Sequence, residues 1–163
     1  MPEADQSGAI EVVRNRLGDD AAEEVVRFWE REGVLEGDAA RARLPEVVCV
    51  LRDDAGEITG VNSAYAGNVD LIAGRPFWIY RSHLAEGAED AGPAMIKAAF
   101  EVLESEFDPA QTGPIGICLT IADRAEMRRR PEAEWTDPRI IYAGYLPDGR
   151  QVRIGYFAGA KIS

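Results

Sequence analysis

Two rhythms of apolar and polar residues divide the chain. Over residues 9–17, "AIEVVRNRL", Ile10, Val13 and Leu17 recur at helical spacing, which predicts a short first helix ending at Gly18. The next run, "DDAAEEVVRFWEREGVL", predicts a second helix. Its apolar face is Ala22, Val25, Val26 and Trp29, with Asp20 and Glu23 spaced as a capping box and Gly33 as the stop. "DAARARLP" reads as a connector in which Pro45 ends anything helical.

From residue 46 the period drops to two. "EVVCVLR", the turn "DDAGE" and "ITGVNSAYA" predict a hairpin, and "PFWIYRSHL" a third strand rich in aromatic and β-branched residues. Residues 46–84 are thus expected to form three consecutive antiparallel strands. A helix follows with Met95, Ala98, Ala99, Val102, Leu103 and Phe107 on its inner side, then the loop "DPAQTGP". "IGICLTIA" is apolar on both alternating faces, so it predicts a central strand. "DRAEMRRRPEAEW" predicts a short helix broken at Pro131, and "RIIYAGYL", "PDGR" and "QVRIGYF" a closing antiparallel hairpin. The strand–helix–strand unit in the middle demands one parallel pair. The fold class expected is therefore α/β (α+β): a mixed, mainly antiparallel sheet with a central parallel pair and helices on both faces.

At 163 residues, with no linker or repeat, the chain is expected to be a single domain over residues 1–163. A formal charge of −11 argues against nucleic acid as a partner, because affinity there comes from neutralising phosphates. The same charge is consistent with a cationic partner such as an amine and equally with nothing beyond solubility. Apolar runs such as "PEVVCVL" are too short to span a bilayer, and residues 1–8 lack a signal pattern. No membrane partner and a cytoplasmic location are expected. Cys49 and Cys118 sit inside apolar strands and read as buried free thiols, and no His or Cys spacing suggests a metal site.

The element order resembles that of the GNAT superfamily of acyl-CoA-dependent N-acyltransferases over nearly the whole chain. The likeness rests on "EVVCVLRDDAGEITGVNSAY", "YRSHLAEGAEDAGPAMIKAAF" and the closing "IYAGYLPDGRQVRIGYF". It implies that the strand ending at Leu84 runs parallel to the one at 115–121 and separates from it towards His83 and Asp123. It further implies an acetyl-CoA or other acyl-CoA co-substrate whose pantetheine arm lies on that strand and whose pyrophosphate lies on the following loop and helix N-terminus. Ser82, Leu84, Gly87, Gly92 and Ala94 are the cofactor-binding positions so implied. The family's loop pattern is roughly Arg/Gln-x-x-Gly-x-Gly/Ala. Here Glu89 stands where the basic or amide residue belongs, and Pro93 offers no N–H. The dense basic run "MRRRP" reads either as a solvated helix face balancing an acidic surface or as part of the cofactor site. The second is what the resemblance implies, since the helix after the central strand flanks the cofactor in the family; it adds Arg128 and Arg129 to the cofactor-binding set, with Arg130 beside them.

The family often places a tyrosine acid four residues before the glycine of its closing pair. Counting back from Gly144 reaches Ile140, and Tyr142 is the nearest phenol. His83, the only histidine, could deprotonate an ammonium substrate. Along that strand Tyr80 and Ser82 project to one face and Arg81 and His83 to the other. Arg81 suits a substrate carboxylate or a local Asp, and Trp29, Trp78 and Trp135 the core or a cleft wall. The reading is an acyltransferase acting on a small-molecule or peptide amine, with His83 and Tyr142 as catalytic candidates and a homodimer left open. A non-catalytic module with a decayed acyl-CoA site and an unrelated α+β ligand-binding domain are the alternatives.

Overall fold

A computed structural model describes residues 9–69 and 71–160. Its elements are β1 (Ala9–Val12), α1 (Asp19–Arg31), α2 (Gly37–Arg43), β2 (Val47–Arg52), β3 (Ile58–Val69), β4 (Ile72–Leu84), α3 (Gly92–Ser105), β5 (Gly116–Ile121), α4 (Arg124–Arg129), β6 (Glu134–Trp135), β7 (Ile140–Tyr145) and β8 (Gln151–Tyr156). The strands form one eight-stranded sheet in the order β1-β2-β3-β4-β5-β8-β7-β6. β4 and β5 are parallel, whereas β1–β2, β2–β3, β5–β8, β7–β8 and β6–β7 are antiparallel. The chain packs as two compact units, described in turn below.

The first unit comprises the described residues up to Ala64 and residues 82–102. Its core gathers Val25, Val26, Phe28 and Trp29 of α1, Ala40 of α2, and Val47, Val50, Ile58 and Val61. α1 stops where the sequence predicts, through a Schellman arrangement. Gly33, at φ +71°, donates to the Glu30 carbonyl and Val34 to that of Trp29. Its start differs from expectation. Gly18 is the N-cap with no side-chain bond, and Glu23 pairs with Arg41 at 2.8 Å instead of closing a capping box. Asp19 and Asp20 still place negative charge on the first turn, where the helix dipole favours it.

Two other expectations are corrected here. Residues 9–12 form an edge strand, not a helix, pairing Ala9 with Arg52 and Val12 with Cys49. Ile10, Val13 and Leu17 alone cannot separate a helix from a strand over so short a run, and β-branched Ile10 and Val12 suit the strand once β2 offers an edge. "DAARARLP" is not a bare connector: α2 runs to Arg43 and a 3₁₀ turn, Leu44–Glu46, carries Pro45 in its first positions.

The second unit comprises residues 65–81 and 103–163, as far as they are described. Phe77, Ile115, Cys118, Val152 and Ile154 form its core. β5 is buried along nearly its whole length, as a central strand should be, and a Cβ on Gly116 would collide with the Gly155 carbonyl of β8. α4 ends at Arg129 before Pro131, and the two-residue β6 was not predicted. Both strands of the β3–β4 hairpin are longer than their sequence signals, reaching Val69 and starting at Ile72. On α3 the buried residues are Met95, Ile96, Ala99, Phe100 and Leu103; Ala98 and Val102, expected inside, are half-buried, and Phe107, expected on the same helix, lies beyond its end.

Both thiols are buried and free, and burial pushes each of them up to about 11. No described helix is long and apolar enough to cross a membrane.

Candidate functional site

Parallel pairing of β4 with β5 runs through Trp78↔Ile117, Ile79↔Cys118 and Tyr80↔Leu119. It stops there, although β4 continues to Leu84 and β5 to Ile121. The early end of this ladder is the feature expected of a strand that receives an extended ligand on its backbone.

In the first unit, the end of β4 leads into the loop and helix start predicted to hold an anion. Ser82 is exposed, while His83 and Leu84 are half-buried. The Leu84 side chain turns back over Gly60, where a Cβ would collide with it, and a Cβ on Gly92 would lie 3.6 Å from it. Gly87 adopts φ +92°, a conformation that favours glycine.

Four amides of the loop already have acceptors. Gly87 N–H donates to Oε2 of Glu89 at 2.8 Å, and Ala88 and Ala91 donate to the carbonyls of Ala85 and Ala88. Gly92 donates to the Glu89 carbonyl. Glu89 thus stands where the resemblance calls for a basic or amide residue, and its carboxylate fills part of the cradle itself. Asp90 is exposed and Ala94 is exposed on the first turn of α3.

His83 has a partner that the sequence did not show. Its Nε2 lies 3.1 Å from Oε1 of Glu32, at the end of α1, and its ring meets Phe28 at 5.8 Å between centroids. Asn62 was also missed. Fully buried, it accepts from Cys49 N–H at 2.7 Å and donates to the Met95 carbonyl at 3.1 Å, tying a β2 bulge to α3. An Asn in an apolar strand is the only signal that could have flagged it.

In the second unit, Asp123 caps α4 by accepting from Ala125 N–H at 2.9 Å. The basic run then divides. Arg128 and Arg129 are exposed, whereas Arg130 turns inward with its guanidinium 3.7 Å from the Trp135 ring. Arg153 approaches the same indole at 4.2 Å and is 1% exposed. Its Nε donates to Gln151 at 2.8 Å and its Nη2 to the Arg130 carbonyl at 3.2 Å, which also accepts from Trp135 Nε1. Nη1 makes no hydrogen bond. Burial, then the charge of Arg130, pushes the Arg153 guanidinium down from its ordinary value.

Tyr142 lies directly across the β7–β8 ladder from Arg153, on the same face. A bulge at Gly144, φ +133°, brings Tyr145 beside it, the rings edge to face at 5.6 Å. Tyr142 is 41% exposed. Of the other aromatic and basic candidates, Arg81 lies over the Tyr65 ring at 4.5 Å, Trp29 is core, and Trp78 lines a cavity of about 160 Å³ with Leu103 and Phe107. Ser82, His83, Leu84, Gly87, Gly92 and Ala94 therefore belong to the first unit, and Arg128, Arg129 and Tyr142 to the second.

No protein-family model matches the sequence, and no curated protein matches it. Solved structures do. An acetyltransferase of the GNAT family from Streptococcus pneumoniae superposes with a TM-score of 0.54 at 12% identity, covering 92% of this chain and 99% of that one. NAA60 from Arabidopsis thaliana, in complex with a bisubstrate analogue, superposes with a TM-score of 0.50 at 12% identity, covering 91% and 99%. At such identity the likeness is one of fold, and the chain has the fold of these GNAT acetyltransferases.

Proposed function

We propose that the protein is an N-acyltransferase that moves an acyl group from acyl-CoA to a primary amine. The observation that carries this reading is the β4–β5 ladder ending at Tyr80↔Leu119 on a GNAT fold, which leaves Arg81–Leu84 of β4 beyond the paired stretch. The amides of a pantetheine arm would bond to that backbone, at Ser82 and Leu84, and the pyrophosphate would approach Gly87, Gly92 and Ala94. Arg128 and Arg129 would supply the cationic charge that the loop lacks.

In the reaction the amine nitrogen forms a bond to the thioester carbonyl carbon, the C–S bond breaks, and CoA leaves as a thiolate. The substrate ammonium must first lose a proton, and we assign that step to His83. The thiolate must gain one, and Tyr142, whose phenol faces the same side of its ladder as the Arg153 cation, is the donor we assign. Glu89 limits the grip on the pyrophosphate. A carboxylate about 4 Å from a phosphate costs about 1 kcal/mol in water and about 4 kcal/mol at an effective dielectric of 20, against roughly 0.3–2 kcal/mol returned by a helix N-terminus. Weak, salt-sensitive binding is therefore expected.

Incubation with acetyl-CoA and a panel of primary amines, read by thiol release, tests the reading. His83→Ala and Tyr142→Phe should each lower turnover with the fold intact, and full activity in the double variant would show both to be bystanders. The bond between Gly87 and Glu89 favours one second reading, a module on this fold whose acyl-CoA loop has closed on itself. No binding of acetyl-CoA at all would select it.

A further inference from the structure

His83 faces two groups of the first unit, Glu32 and Phe28, and Arg31 stands beside the first of them. Nε2 lies 3.1 Å from Glu32 Oε1; the other oxygen of Glu32 lies 3.8 Å from Arg31 Nε; and Arg31 Nη2 donates to the Ile58 carbonyl at 3.1 Å. Phe28, buried, sits against the imidazole ring at a tilt of 51°. The Glu32 backbone is held by the Schellman end of α1, its own N–H donating to the Phe28 carbonyl. The side chains of His83 and Glu32 are 35% and 22% exposed, so the pair is partly shielded while the imidazole keeps a face to solvent.

We infer that Glu32 is a positioning residue that fixes the tautomer of His83. An ionised carboxylate only accepts hydrogen bonds, so the ring nitrogen facing it carries the hydrogen. The neutral imidazole then holds its lone pair on Nδ1, the nitrogen turned away from Glu32. When Nδ1 takes a proton from a substrate ammonium, the Nε2–H stays donated to Glu32, and the carboxylate stabilises the imidazolium without itself accepting the proton. Arg31 holds the carboxylate from behind, so that Oε1 stays aimed at the ring. The base role of Nδ1 rests on the acyl-transfer reading above; the tautomer does not.

Because the chain has one histidine, long-range ¹⁵N–¹H spectra of labelled protein report it without ambiguity. At a pH where the imidazole is neutral, the wild-type protein should show the Nε2–H form almost alone. Glu32→Gln and Glu32→Ala should show a mixture of tautomers, and Glu32→Asp should restore part of the preference. With acetyl-CoA and an accepted amine, Glu32→Gln should lower kcat by roughly 10–100-fold, up to the low end of the roughly 100–10,000-fold that a general base contributes, with KM little changed. Matching circular dichroism and unfolding midpoints exclude a folding defect. A tautomer ratio unaltered in both Glu32→Gln and Glu32→Ala would overturn the role of Glu32. A fixed tautomer in a protein with no acyl transfer would overturn the functional reading while leaving Glu32 in place at His83.

Discussion

In the first unit arginines meet carboxylates: Arg41 bonds Glu23 at 2.8 Å, and Arg52 bonds Glu24 at 2.7 Å with Glu11 at 3.8 Å. In the second, Arg139 and Arg150 pair likewise at the surface, yet Arg130 and Arg153 turn inward onto one indole, and the Arg130 carbonyl accepts from both Arg153 and Trp135. The difference shows how little a net charge of −11 says about local fields. The acidic excess lies at the surface and in the β4–α3 loop, while a cationic pair is held where burial makes charge expensive. Stacking on Trp135 and donation to Gln151 and to the Arg130 carbonyl offset part of that cost.

The largest effect should come from the shared aromatic. Trp135→Ala removes a buried indole on which both guanidinium groups rest, and should cost about 3–5 kcal/mol in denaturant unfolding. Arg153→Met keeps much of the stem while removing a buried cation with an unbonded Nη1, and should change stability by no more than about 1–2 kcal/mol. If Arg153→Met proves the costlier of the two, the guanidinium is the keystone and the contrast drawn here is wrong.

A smaller effect is expected in the first unit, where a neutral side chain ties strand to helix. Asn62→Ala leaves the Cys49 N–H without an acceptor and takes a donor from the Met95 carbonyl, and should cost about 1–3 kcal/mol. A loss of less than about 0.5 kcal/mol would mean that water or a backbone shift replaces the amide.

What the sequence revealed and what it hid follow from distance along the chain. The hairpins, the central β5 and the stop of α1 were legible because alternation, turn residues and Gly33 are local signals. β1 was misread because its strand character exists only when β2 pairs with it, and β6 because two residues carry no period. α2 was passed over because Ala40 is its only buried residue. At the site, His83 was visible as the sole histidine, but Glu32 lies 51 residues away and no local pattern joins them. In "QVRIGY", Gln151 and Arg153 alternate with Val152 and Ile154, a pattern that ordinarily marks a solvent face. Their burial follows from β8 lying beside β5, whose two faces are both covered.

The smallest effects concern the loop in which Glu89 bonds Gly87. Glu89→Gln should tighten acetyl-CoA binding by roughly fivefold, matching about 1 kcal/mol of relieved repulsion. Changing the exposed Arg128 and Arg129 together to serine should weaken binding by a similar factor. An unchanged affinity in Glu89→Gln would mean that the carboxylate does not face the ligand.

Calorimetric titration of the wild-type protein with acetyl-CoA at low and at high salt tests the central claim most directly. The account predicts weak binding that falls as salt screens the few cationic contacts. Tight binding that salt leaves unchanged would contradict the account of the loop, and no binding at either salt would contradict the acyltransferase itself.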